Sequence, residues 1–145
     1  MTRTTFRKTL SANDLGLTGG HQGGVLIPKG ETALLNLLPP LKVDVKNPDA
    51  WITCIDANGD SHRFRFVYYN NKLHDERGTR NEYRITYMTA WFRNQCAQPG
   101  DAFEISREHD HPQYRIRIVR AEQDPERSPD DGPVRIRLRG WRRVH

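Results

Sequence analysis

From Thr79 to Arg84 the chain reads Thr-Arg-Asn-Glu-Tyr-Arg, placing two guanidinium forks, a carboxylate and an amide in immediate succession. If Arg80 to Arg84 is extended, alternate side chains share a face, so Arg80, Glu82 and Arg84 act together while Asn81 and Tyr83 point the other way. An Arg fork matches the O6 and N7 acceptors of guanine, and a carboxylate accepts from the cytosine amino group. The triplet therefore suits G·C pairs in a major groove. Asn81 is able to read adenine or to cap a turn. The competing reading is a solvated face in which Glu82 pairs with its two Arg neighbours, an exposed arrangement of little energetic worth.

A second segment, Ser11-Ala-Asn-Asp-Leu-Gly-Leu-Thr-Gly-Gly-His-Gln-Gly-Gly24, has five glycines in 14 residues and almost nothing to fill a core. Glycine lets a backbone approach another surface closely, and Asn13, Asp14, Thr18, His21 and Gln22 offer mixed donors and acceptors at short reach. This suits a ligand-facing loop, although a plain connection would read the same way. The glycines fail the phosphate-loop spacing, which ends in Gly-Lys-Ser/Thr.

Catalytic and metal-binding patterns are weaker. The Asp/Glu-x-Lys tripeptide of metal-dependent nucleases occurs only as Asp44-Val45-Lys46, with its order relative to Asp49 reversed. His109-Asp110-His111 lacks further ligands at zinc spacing and reads as a polar turn. No Ser-His-Asp arrangement assembles from the sequence. We therefore expect no catalytic residue and no metal ligand in this chain.

The elements that must position these segments are mostly strands. Trp51–Ile55 and His62–Tyr68 flank Asp56-Ala-Asn58-Gly59-Asp60, whose Asn-Gly step supplies the positive φ of a tight hairpin. Tyr114–Ile118 and Val134–Leu138 alternate apolar groups with Arg, as half-buried antiparallel strands do. Val25–Ile27, Arg84–Tyr87 and Ala102–Ile105 complete a set of about seven, the last opened by the turn Pro99-Gly100-Asp101. Thr32–Leu38 is the best helix candidate, stopped by Pro39-Pro40. Many short strands in so small a chain favour a closed or nearly closed barrel, with a sandwich as the alternative. Ala121–Pro133 reads as an exposed acidic loop. Phe64, Phe66 and Tyr68 fall on one face, as a core or a stacking platform would require.

Length and charge fit this picture. With 145 residues the chain is expected to form one domain, and it carries net charge +5 with 18 of its 23 basic residues Arg. The sign of the charge alternates in blocks along the chain, from +3 over residues 1–30 to +5 over 132–145. A nucleic-acid partner is plausible on charge, although solubility alone would also account for it. Mean hydropathy of −0.84 and the lack of a long apolar run argue against a membrane span or secretory leader. Two cysteines, Cys54 and Cys96, are too few for a disulfide framework and fit a cytoplasmic protein.

Taken together, Leu10-Ser-Ala-Asn-Asp14, Thr18-Gly-Gly-His-Gln22, Ile27-Pro28, Tyr68-Tyr-Asn70 and Thr79-Arg-Asn-Glu82 with Arg84-Ile-Thr86 resemble the two DNA-recognition arms of the N-terminal effector domain of EcoRII-type restriction endonucleases. The resemblance implies a DNA-binding pseudobarrel, related to the DNA-binding domain of plant auxin response factors. Seven strands in an open barrel with one or two short helices are expected, as a single domain over residues 1–145. Its N-arm would run over about residues 8–28 and its C-arm over about 68–88, gripping a major groove.

Carried over by residue, the resemblance implies DNA contacts from Ser11, Asn13, Asp14, His21 and Gln22. In the C-arm it implies contacts from Lys72, Arg77, Thr79, Arg80, Asn81, Glu82, Tyr83 and Arg84. Leu26 and Tyr83 depart from the family member compared, which has Tyr and Lys there, and Arg77-Gly78 replaces a Gly-Lys pair with one extra residue. Arg77 is therefore a candidate to supply the missing charge.

The expected function is sequence-specific double-stranded DNA binding as the target-recognition module of a restriction–modification system, at a short G·C-containing site such as CCWGG. Arg63, Arg65 and Lys72 would hold phosphates. The partners expected are duplex DNA and a nuclease domain or subunit, not a membrane. Binding is expected to need no cofactor, with Mg²⁺ belonging to an attached nuclease domain. The rivals are a small complete nuclease with an unrecognised metal site and a nonspecific nucleic-acid-binding barrel.

Overall fold

The computed structural model describes residues 3–18, 24–123 and 140–144. Alternation organises its clearest hairpin, β3 (Asp49–Ile55) with β4 (Ser61–Tyr69), where Ile52, Cys54, Phe64 and Phe66 turn inward and Trp51, Arg63 and Arg65 outward. The connecting turn needs its glycine: Gly59 sits at φ 87°. Asp56 holds this turn from inside, its carboxylate accepting from the Asn58 and Asp60 amides at 2.9 and 3.0 Å. The same carboxylate meets His62 Nε2 at 2.8 Å and the Trp91 indole N–H at 3.3 Å. Burial raises the Asp56 pKa, but these hydrogen bonds outweigh that and leave it below the ordinary aspartate value.

Four further expected strands are present as β2 (Gly24–Ile27), β5 (Glu82–Thr86), β6 (Ala102–Glu108) and β7 (Tyr114–Val119). β5 stops one residue earlier than alternation implies, because Tyr87 turns to φ 70°. The expected strand at Val134–Leu138, most of the acidic loop and Arg135, Arg137 and Arg139 lie outside the described residues. Two strands are additional, β1 (Arg3–Thr9) and β8 (Trp141–Arg143). β1 hides its period because Thr5, Phe6, Arg7 and Lys8 are all buried. Arg7 reaches Glu104 at 2.8 Å and Lys8 reaches Asp14 at 2.6 Å, so the charges are buried as pairs.

Among the described residues, eight strands follow the order β2-β5-β4-β3-β7-β6-β1-β8. All neighbours are antiparallel except β3 and β7, which meet in parallel through Cys54↔Tyr114 and Ile55↔Arg115. The edges β2 and β8 approach each other, and the Trp141 indole N–H donates to the Leu26 carbonyl at 2.9 Å. The sheet is thus a nearly closed barrel, and closure hides the edges that would otherwise invite pairing with another chain.

Among the described residues three short α-helices attend it: α1 (Thr32–Leu37), α2 (Asn71–His74) and α3 (Thr89–Asn94). Only α1 was expected at a defined place, since four and six residues are too few for the helical period to show in α2 and α3. α3 inserts Trp91 and Phe92 into the core, where both contact Phe103, which in turn packs edge-on against Trp141. Phe64, Phe66 and Tyr68 are likewise buried, which makes them core and not a solvent-facing stacking platform. Among the described residues no helix is long and apolar enough to cross a membrane.

Candidate functional site

The C-arm begins where β4 ends. Asn70 is fully buried and spends its whole side chain on the neighbouring 43–47 loop. Its Nδ2 donates to the Val43 and Val45 carbonyls at 3.1 and 2.9 Å, and its Oδ1 accepts the Asn47 amide at 2.6 Å. Asn47, at φ 48°, returns the bond by accepting the Asn70 amide at 3.1 Å. Lys46 pairs with Asp75 further along the arm. In the sequence Asn70 stands out only within the Tyr68-Tyr-Asn70 motif and Asn47 not at all; an amide following two tyrosines at a strand end was the available signal.

The arm's neck is closed by backbone. Lys72 N–H donates to the Arg80 carbonyl at 3.0 Å, and Arg80 N–H to Asn71 Oδ1 at 2.8 Å. Gly78 lies against this junction, where a Cβ would come within 2.1 Å of the Asn71 carbonyl oxygen and 2.7 Å of the Lys72 nitrogen. Only glycine permits that approach.

Beyond the neck, the alternation expected for Arg80–Arg84 is found. Arg84 Nε meets Glu82 Oε2 at 2.6 Å and Arg80 Nε meets Oε1 at 3.3 Å, so one carboxylate bridges two guanidinium groups. Arg80 also lies 3.7 Å over the Tyr69 ring, its register neighbour's partner across β4 and β5. On the other side, Asn81 Oδ1 accepts from the Tyr68 hydroxyl at 2.5 Å, and Tyr83 stacks on Tyr68 with centroids 4.3 Å apart. Burial raises the Glu82 pKa, but the Arg84 hydrogen bond and the Arg84 and Arg80 charges prevail and hold its carboxyl below the ordinary value. Lys72, Arg77 and Thr79 are exposed on the arm.

The N-arm leaves β1 through a tight turn. Ser11 and Asp14 exchange bonds, Asp14 N–H to Ser11 Oγ at 3.2 Å and Ser11 N–H to Asp14 Oδ2 at 3.0 Å. Asp14 is buried, and its carboxylate also holds Lys8, so within the arm it is a positioning group. Gly24 N–H donates to the Asp14 carbonyl at 2.8 Å, closing this neck too. Asn13 is exposed and accepts from Thr18 at 3.0 Å. His21 and Gln22 lie outside the described residues.

Strand β5 joins the two necks. Gly24 pairs with Thr86 at one end, and Glu82, two residues after the Arg80 neck, opens the other. Arg84 faces outward between them, opposite Leu26. The remaining basic candidates on this wall are Arg63, over the Trp51 ring at 5.6 Å, and Arg65, paired with Asp49 at 2.7 Å.

Elsewhere, Lys46 of the Asp44-Val45-Lys46 tripeptide is taken by Asp75, and His109 and Asp110 stand on an exposed turn. Among the described residues no three His, Cys, Asp or Glu side chains are grouped as a metal cradle. Cys54 is buried, which pushes its thiol up to about 12 and makes it unreactive.

Known proteins resemble this chain in sequence and in fold. The type II restriction enzyme EcoRII of Escherichia coli is 40% identical over 84 residues, covering 56% of this chain and 20% of the enzyme. The chain thus corresponds to about one fifth of that relative's length. A chain of the Arabidopsis FUS3–DNA complex superposes with a TM-score of 0.61 at 20% identity, covering 81% of this chain and 98% of the other. At that identity the match concerns the fold, and the two chains share the barrel described above. The family described as restriction endonuclease EcoRII, N-terminal, matches residues 2–100, so the chain belongs to the EcoRII N-terminal domain family.

Proposed function

We propose that this domain binds double-stranded DNA sequence-specifically, placing its two arms in the major groove as the target-recognition module of a restriction–modification system. The observation that carries the reading is the outward row Arg80–Glu82–Arg84 on a strand to which both arm necks are tied. Four strand steps from Glu82 to Thr86 span about 14 Å, close to the ~12 Å width of a B-form major groove. In the free protein Glu82 engages both guanidinium groups, one on each carboxylate oxygen, so the donors are ordered before a base pair arrives. On DNA the Arg forks take guanine edges and the freed carboxylate oxygens accept from cytosine, with Asn13 and Ser11 approaching from the N-arm and His21 and Gln22 beside them. Arg77, Thr79, Asn81 and Tyr83 complete the C-arm contact, and Lys72 holds a phosphate. Phosphate contacts fix register while base edges specify sequence.

The recognised site is proposed to be short and G·C-containing, of the CCWGG type. The relative of which this chain covers a fifth is named as a type II restriction enzyme, and FUS3 is named in complex with DNA. By analogy with that enzyme the domain itself binds and does not cut, with the nuclease and its Mg²⁺ in the remainder of a parent protein or in a partner. The test is selection from a randomised duplex pool at near-physiological salt with Mg²⁺ present, followed by inspection of the recovered DNA. Enrichment of one short G·C-containing site on intact DNA supports the reading. Recovery without enrichment overturns sequence specificity, and cleaved DNA overturns the noncatalytic role.

A further inference from the structure

The outer wall that carries the reader row continues into a patch that the arms do not use. Trp51 is 43% exposed and Tyr87 65% exposed, and their rings touch at 5.0 Å in a tilted pair. Arg63 lies over the same Trp51 ring, and no hydrogen bond or ion pair holds its guanidinium among the described residues. Exposed aromatics of this size normally find a partner, and Trp, Tyr and Arg together are the residues that dominate contact surfaces.

The register places the patch. Trp51 pairs with Arg65 across β3 and β4, and Arg65 pairs with Thr86 across β4 and β5. Thr86 in turn pairs with Gly24, the exit of the N-arm, and Tyr87 follows Thr86 directly. The patch therefore begins where the N-arm rejoins the barrel. Asp49, two residues before Trp51 on β3, is occupied by Arg65 at 2.7 Å, so among the described residues the patch keeps the Arg63 cation unpaired by an acid.

We infer that Trp51, Tyr87 and Arg63 form a second contact surface for duplex DNA, taking the sugar–phosphate backbone that flanks the recognised site on the N-arm side. The inference rests on the proposed DNA-binding reading and extends it from the site to its flank. Arg63 supplies the cation for a phosphate, and the two rings pack against the adjoining sugars. The contact adds affinity without adding sequence preference, because the backbone carries no base identity.

The protein itself contains the reporter. Of its three tryptophans, Trp91 and Trp141 are buried and Trp51 is exposed. Intrinsic fluorescence is titrated with two duplexes bearing the same selected site, one ending at the site and one extended by about one helical turn on each side. The extended duplex is expected to quench the emission and the short one not, with the quench lost in Trp51→Phe. Arg63→Ala and Trp51→Ala are expected to bind the extended duplex roughly fivefold more weakly and the short one normally, and Arg63→Ala to lower the salt slope by about one.

Equal quenching by both duplexes, or wild-type affinity of all variants for the extended one, overturns the inference. So does stronger quenching by a single strand of the same length, which would make the patch a base-stacking platform. Arg80→Ala, carried in parallel, separates the two readings. If it leaves sequence preference intact while Arg63→Ala still weakens the extended duplex, base reading fails and the flank contact stands.

Discussion

Asn70 and Asn47 exchange hydrogen bonds, each backbone amide donating to the other's side-chain oxygen, at 3.1 and 2.6 Å. The pair ties the foot of the C-arm to the 43–47 loop, and Lys46 with Asp75 ties it again further out. Asn47→Gly keeps the left-handed backbone that φ 48° requires and removes only the acceptor. A buried N–H left without a partner costs about 1–3 kcal/mol. We expect a corresponding fall in stability by denaturant titration and a larger fractional loss of affinity for the preferred site than for random duplex. Equal losses on both would mean that the lock stabilises the fold without aiming the arm.

Gly78→Ala tests the neck itself. The added methyl would lie within 2.1 to 2.7 Å of the Asn71 and Lys72 backbone, atoms that cannot rotate away, so the 78–80 segment must lift. The Lys72–Arg80 and Asn71–Arg80 hydrogen bonds then lengthen and the Arg80 fork loses its direction. Specific binding should fall at least as far as in Arg80→Ala, with the barrel's melting temperature little changed because the core lies elsewhere. Preserved specificity would show that the neck is not what orders the readers.

The reader row makes a separate demand. Arg80→Ala and Glu82→Ala should each lose about 1–3 kcal/mol for the preferred site while leaving nonspecific binding nearly intact. Glu82→Ala also releases Arg84, so it should relax preference at more than one base pair, and a selection repeated on the variant would show this. Uniform losses across all sequences would assign these side chains to phosphates.

Much of this was legible because period two survives where one face is wet. The β3–β4 hairpin, β7 and the facing of Arg80, Glu82 and Arg84 follow from alternation and one Asn-Gly step. β1 was hidden for the opposite reason, since Arg7 and Lys8 are charged in sequence yet buried against Glu104 and Asp14, partners 97 and 6 residues away. Asp14 carries the same lesson: as a polar residue in a glycine-rich loop it resembles a ligand contact, and only the fold shows it occupied by Lys8. Asn47 owes its importance to Asn70, 23 residues away, and Gly78 to the arm folding back onto Asn71 and Lys72, close approaches that no local pattern records.

Barrel closure has a single-atom test. The Trp141 indole N–H bonds one edge strand to the other, donated to the Leu26 carbonyl at 2.9 Å, while its ring packs on Phe103. Trp141→Phe keeps an aromatic group there and deletes the donor. The expected cost is about 1–2 kcal/mol, from the lost hydrogen bond and the slightly smaller ring. Leu26 lies opposite Arg84, so loosening β2 should also weaken specific DNA binding more than the melting shift alone predicts. An unchanged melting temperature would mean that the edges are held by side-chain packing alone.

Acid stability should report Glu104. Burial raises its pKa, but hydrogen bonds from Arg117 at 2.6 Å and Arg7 at 2.8 Å, with their charges, bring it below the ordinary glutamate value of 4.5. A carboxyl whose pKa is lower folded than unfolded binds fewer protons in the native state. It therefore contributes stability fully above 4.5, and that contribution fades as pH falls through the depressed folded value. Glu104→Gln should lower stability at neutral pH, because the buried Arg7 and the half-exposed Arg117 both lose their ion pair with Glu104. The same variant should show a shallower decline on acidification, so that the two unfolding curves converge at low pH. Denaturant midpoints taken from neutral pH downward would reveal this, and parallel curves would show that the Glu104 pairs contribute nothing to folding.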